Sequence, residues 1–140
     1  MTPSPIESEA ITLDEAWFDY NGHLTDWAYV RVLSDLNEAV IDRLDLGAQY
    51  LARTGHSIYT VETRIRYLAE VRDTQRLHAR TRITDITGKT LHLITDLVRD
   101  DDVVAASAES TYVHVDHSTG RSAAFDVITA ARIAATAGSD

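Results

Sequence analysis

The stretch WFDYNGHLTDWAY, residues 17–29, governs how the rest of the chain reads. A carboxylate, Asp19, stands three residues ahead of Gly22, and Asn21-Gly22 is a pair that turns a chain back on itself. From Thr25 the periodicity becomes helical: Tyr29, Leu33, Leu36, Val40 and Leu44 recur at steps of three and four, while Asp35, Glu38, Asp42 and Arg43 fall largely elsewhere. That predicts one long amphipathic helix, capped by Thr25 or Asp26 and ending near Gly47. An acid is thereby placed beside a helix N-terminus, whose first N–H groups lack intrahelical partners and carry the positive end of the helix dipole. Such groups can hold a carbonyl oxygen as it becomes an oxyanion, and a base or nucleophile next to them points to acyl transfer.

Upstream, Met1 to Ser8 carries both prolines and reads as a loose lead-in, over by residue 9; Ile11 to Trp17 reads as a short strand. Downstream of GAQYLARTGHS the period becomes two, and four strands are predicted. In the first, Tyr59, Val61, Ile65 and Tyr67 share one face and Glu62, Arg64 and Arg66 the other. In the second, Leu77, Ala79, Thr81 and Ile83 alternate with His78, Arg80, Arg82 and Thr84. The third covers Thr90 to Arg99 after a turn containing Gly88, and the fourth covers Val103 to Asp116 after Asp100-Asp101-Asp102. Connections this short imply antiparallel neighbours. A strand, a long helix and an antiparallel run make an α+β order in which the helix lies across one face of a curved sheet of five to six strands. Residues 126–137, rich in alanine, predict a C-terminal helix capped by Asp126.

The 140 residues are expected to form one domain with a real core, since 44% are hydrophobic and 25% charged, as in globular proteins. A formal charge of -9 argues against general nucleic-acid binding, which needs a clustered basic surface. Lys89 is the only lysine among thirteen basic residues, and the arginines suit bidentate contact with phosphate or carboxylate. With no cysteine, disulfides, thiolate metal sites and cysteine nucleophiles are excluded. The acidic start MTPSPIESEA lacks the features of a signal peptide, and no apolar run reaches membrane-spanning length, so a cytoplasmic protein is expected.

The motif and the element order together resemble the hotdog fold of acyl-CoA thioesterases of the 4-hydroxybenzoyl-CoA type, whose active-site Asp lies three residues before a Gly leading into the central helix. The resemblance covers roughly residues 10–125 through DYNGH (19–23), Tyr29, VETRIRYLAEV (61–71) and TYVHVDHSTGRSAAF (111–125), and is greatest to the branch that includes betainyl-CoA thioesterases of carnitine breakdown. Two departures stand out. Relatives often follow Gly-His with asparagines where this chain has Leu24-Thr25-Asp26-Trp27, which bears on the lining of the pocket. A proline is common where this chain has Glu70, which bears on a strand end more than on the chemistry.

The resemblance implies hydrolysis of an acyl-CoA thioester without metal or cofactor, by a homodimer or homotetramer with sites at the subunit interface. Asp19 would attack the thioester carbonyl or deprotonate a water; read locally, it is equally a turn aspartate bonded to its own backbone. Thr25, Asp26 and Trp27 would supply oxyanion N–H groups, with Gly22, His23 and Asn21 in the pocket or simply in the turn. Glu62 could be a second acid or pair with a cationic acyl group; otherwise it is a solvated strand residue paired with Arg64 or Arg80. Arg64, Arg66, Arg80 and Arg82 would form a stripe for the phosphates of CoA, or an ordinary solvent face. Trp17 and Trp27 could meet a quaternary ammonium, or be core. His114-Val115-Asp116-His117 offers no third ligand, so no metal site is expected. The same fold could instead bind an acyl-CoA or related metabolite without turning it over. A dehydratase or isomerase of this fold would show a histidine paired with the acid in a helical context, which the sequence lacks.

Overall fold

The computed structural model describes residues 5–138, with side chains through residue 136. In chain order the elements are β1 (Ile6–Glu7), a 3-10 turn (Glu15–Trp17), α1 (Asp26–Arg43), α2 (Ala48–Thr54), β2 (His56–Tyr67), β3 (Leu77–Thr87), β4 (Thr90–Arg99), β5 (Val104–Asp116), β6 (Arg121–Ser122) and α3 (Val127–Gly138). The six strands form one sheet in the order β1-β3-β4-β5-β2, with β6 also on β5. Every strand pair is antiparallel.

Helix α1 buries one face made of Ala28, Tyr29, Val32, Leu33, Leu36, Asn37, Val40 and Ile41, spacings that return to the same side of a 3.6-residue helix. Against it stand the alternate residues Leu77, Ala79, Thr81 and Ile83 of β3, Leu91, Leu93, Thr95 and Leu97 of β4, and Ala106, Ala108, Ser110 and Tyr112 of β5. Two apolar clusters result, around the two ends of α1. Between them runs a buried polar seam: the Thr95 hydroxyl donates to Asn37 Oδ1 (2.9 Å), Asn37 Nδ2 donates to the Tyr112 hydroxyl (3.4 Å), and Thr81 and Thr95 share a hydroxyl bond (3.2 Å).

Several expectations change. Met1 to Ser4 of the expected lead-in lie outside the described residues, and Ile6–Glu7 pair with Thr81 and Arg80 as β1. The expected strand Ile11 to Trp17 contributes only a single bridge, Ile11 to Leu77, because the Asp14 side chain accepts from Ala16 N and starts a 3-10 turn. The segment after α1 contains α2, with Gly47 ahead of it and Gly55 closing it in the left-handed conformation. A bulge at Val61 shifts the register of β2, so Tyr59 lies on the outer face with Glu62, Arg64 and Arg66 rather than with Ile65 and Tyr67. Finally, β2 and β3 follow each other in the chain but are not neighbours: β4 and β5 stand between them.

Candidate active site

The loop ahead of α1 is built around Asp19. Gly22 N donates to Asp19 O (2.9 Å), and Asp19 N donates to His23 O (2.9 Å). Gly22 has φ +75, and a Cβ placed on it would meet no heavy atom within 4 Å, so the left-handed backbone, not lack of room, is what favours glycine. Asp19 Oδ1 accepts from Asn21 N (2.8 Å) and His23 N (3.2 Å). These are the bonds of a turn aspartate, and they engage one carboxylate oxygen. Oδ2 has no hydrogen-bond partner among the described residues.

At the start of α1, Thr25 holds the cap position but its side chain makes no capping bond. Its hydroxyl and its N–H both donate to Trp17 O, at 2.8 and 2.9 Å, tying the helix start to the turn before Asp19. Trp27 N donates to the Asp26 carboxylate (2.8 Å). Of the three N–H groups expected to face an oxyanion, Asp26 N alone is without a partner among the described residues.

Asp19, His23, Asp26, Tyr29, Tyr67 and Glu70 line a cavity of about 420 Å³. His23 Nε2 lies 2.8 Å from Glu70 Oε2, and Arg72 donates to the other Glu70 oxygen (2.9 Å). Main-chain contacts fix this pairing: His23 bridges Arg72, and Leu24 N donates to Val71 O (2.9 Å). Tyr29 is buried and its hydroxyl donates to Ala69 O (3.3 Å). Its ring meets that of Tyr67 edge to face, 5.1 Å between centroids at 71°. Burial, reinforced by Tyr67, pushes the Tyr29 hydroxyl pKa up, so it remains a proton donor. Glu70 and Tyr67 are the site residues that sequence reasoning misses. The departure from the usual proline is the available signal for Glu70, but only the docking of residues 69–72 on the Asp19 loop reveals its place.

The other sequence candidates lie elsewhere. Asn21 is exposed and contributes its backbone N–H to Asp19. Trp27 is 52% exposed and does not line the cavity, while Arg31 covers the Trp17 ring at 5.6 Å. Glu62 sits on the outer face of the sheet, in a separate cavity of about 560 Å³ with Asp85, His92 and Glu109. The four arginines share the outer face but form no continuous stripe, because two strands separate Arg64 and Arg66 from Arg80 and Arg82. Arg80 is paired with Glu7 and Asp102 and Arg64 with Glu109 (3.7 Å), and Arg64 and Arg66 border a small cavity that shares Leu68 with the Asp19 cavity. His114 is committed to Tyr50 and to the Ala123 carbonyl.

A long helix laid across a curved antiparallel sheet, with an acid-bearing loop at the helix start, is the hotdog arrangement of thioesterases. Residues 15–133 match the Thioesterase-like superfamily, and the chain belongs to it. It is 38% identical over 120 residues to an L-carnitine dehydrogenase/betainyl-CoA thioesterase of Agrobacterium fabrum, covering 86% of this chain and 25% of that protein. The chain thus spans about a quarter of the length of that relative. It is 34% identical over 122 residues to a betainyl-CoA thioesterase of Pseudomonas aeruginosa, covering 86% of this chain and 77% of the relative. In three dimensions it matches a Staphylococcus aureus protein solved in complex with CoA, with TM-score 0.88 at 23% identity, over 98% of this chain and 86% of that one, a likeness of fold. Among the described residues no helix is long and apolar enough to cross a membrane.

Proposed function

We propose that the chain hydrolyses an acyl-CoA thioester to the free acid and CoA, with Asp19 at the reacting centre. The observation that carries this reading is Asp19 itself: one oxygen is fixed by two backbone N–H groups, the other is unpartnered among the described residues, and the carboxylate lines a cavity beside the start of α1. The thioester oxygen would rest on Asp26 N–H, in the positive field of the helix end. With Asp19 as base, its carboxylate takes a proton from water, the hydroxide adds to the carbonyl carbon, the C–S bond breaks, and the departing sulfur takes the proton back. With Asp19 as nucleophile, it expels CoA as the thiolate to leave a mixed anhydride, which water then opens.

The relatives named for betainyl-CoA support betainyl as the acyl group. Arg66, next to the cavity and without an ion pair among the described residues, is better placed for the phosphates of CoA than Arg80 or than Arg64, which is paired with Glu109 at 3.7 Å. The chain is expected to work as a homo-oligomer joined through β2, a 12-residue edge strand with Tyr59, Val61 and Tyr67 exposed, since a long bare edge is a template for a second copy.

Asp19→Asn tests the chemistry. The amide oxygen keeps the turn bonds while the charge is lost, so kcat is expected to fall about 10²–10⁴-fold with the fold intact. Undiminished release of CoA thiol would overturn the assignment, and saturable binding without thiol release by the wild type would mark a binding module instead.

A further inference from the structure

The lining of the cavity beside Asp19 includes three carboxylates and two tyrosine rings; among the described residues no lysine or arginine lines it, although Arg72 is bonded to one of those carboxylates, Glu70. Tyr67 lines it while remaining 51% exposed, and its ring is locked by the edge-to-face contact with Tyr29, which is itself pinned through its hydroxyl to Ala69 O. We propose that this cavity is a subsite for a quaternary ammonium carried by the acyl group, with Tyr67 supplying the aromatic face, Tyr29 positioning it, and Asp19 and Asp26 supplying the negative field. This inference rests on the thioesterase reading above.

A quaternary ammonium has no N–H to donate, so it is recognised by ring faces and by potential rather than by hydrogen bonds. The tryptophans do not supply that face: Trp17 is covered by Arg31 and Trp27 is outside the cavity. In an acyl group whose nitrogen is bonded to the carbon next to the carbonyl, the cation lies one carbon from the reacting centre. The ring and the reacting acid must then line the same cavity, as Tyr67 and Asp19 do. A ring already fixed by packing loses little freedom on binding, which favours recognition.

The test compares kcat/KM for betainyl-CoA with that for tert-butylacetyl-CoA, in which a carbon replaces the quaternary nitrogen. The wild type is expected to prefer the cation about tenfold, and Tyr67→Leu to lower that ratio about fivefold, with an unchanged circular dichroism spectrum reporting that the variant is folded. Tyr67→Phe, which keeps the ring face, is expected to keep the ratio; Asp26→Asn is expected to lower it more at low salt than at high salt. Equal turnover of the two thioesters by the wild type, or an equal slowing of both by Tyr67→Leu, would overturn the subsite and leave the thioesterase reading standing. Hydrolysis of neither thioester by the wild type would also overturn the subsite, and no thiol release from any acyl-CoA of a wider panel would overturn the thioesterase reading with it.

Discussion

The two ends of α1 use the same residue types to opposite ends. At the N-terminal end, Asp19 is half-buried with an oxygen unpartnered among the described residues, Asp26 N is likewise unbonded, and Tyr67 shows half its surface. At the other end His114 is 1% exposed and spends both ring nitrogens: Nδ1 on Ala123 O (2.9 Å) and Nε2 on the Tyr50 hydroxyl (2.8 Å). A carbonyl can only accept, so Nδ1 carries the proton, and in the neutral ring Nε2 accepts from Tyr50. The ring is also stacked between His56 at 4.9 Å and Phe125 at 4.2 Å. Bonding capacity that is spent internally stabilises the fold; capacity left open beside a cavity is available to a ligand.

The comparison can be broken by measuring stability at both ends. His114→Ala removes two bonds and a stacked ring, leaving a buried hydroxyl and a carbonyl without their partner, and is expected to cost about 3 kcal/mol in denaturant unfolding. Asp19→Asn, whose turn bonds survive, is expected to change stability far less while abolishing most activity. If Asp19→Asn destabilised as much as His114→Ala, the N-terminal end would be a structural site and the division would fail.

Acid sharpens the same contrast. Burial, with His56 acting in the same direction, holds the His114 pKa below the ordinary 6.5 against the opposing pull of the Ala123 carbonyl. Below pH 6.5 the unfolded chain takes up a proton that the folded chain refuses. The stability present above pH 6.5 is therefore lost as pH falls through that value, until the folded pKa is reached. The slope this one group can contribute is at most about 1.4 kcal/mol per pH unit. Asp101, Asp116 and Asp126, all held below the ordinary 3.8, add their own losses only in more acid solution. Midpoints measured from pH 7 to pH 5 should fall less steeply in His114→Ala than in wild type; equal slopes would remove His114 from the account.

What is legible in the sequence follows the same physics. Helix α1 and strands β3 to β5 repeat one periodicity over ten or more residues, so each position votes for the same face. The face of Tyr59 is not legible, because one bulged residue at Val61 inverts everything before it, and β1 is only two residues long. Asp19 can be singled out because its turn, its glycine and the helix start are local in sequence. Glu70 and Tyr67 cannot, since their meeting with Asp19 and His23 depends on how a segment some 50 residues away docks on the loop.

The smallest expected effect bears on the helix cap. The sequence pattern offers Thr25 as a cap for α1, and a true capping side chain is worth about 1 kcal/mol. Here its hydroxyl turns back to Trp17 O, a carbonyl that Thr25 N–H also satisfies, so Thr25→Ala leaves no buried group unbonded and should cost only about 0.5 kcal/mol. Asp126 is the contrasting case: its carboxylate accepts from both Thr129 N (2.8 Å) and the Thr129 hydroxyl (2.7 Å) at the start of α3. Asp126→Ala should therefore lower the thermal midpoint more than Thr25→Ala. The reverse order would mean that the Thr25 side chain holds the start of α1 by more than its bond to Trp17 O.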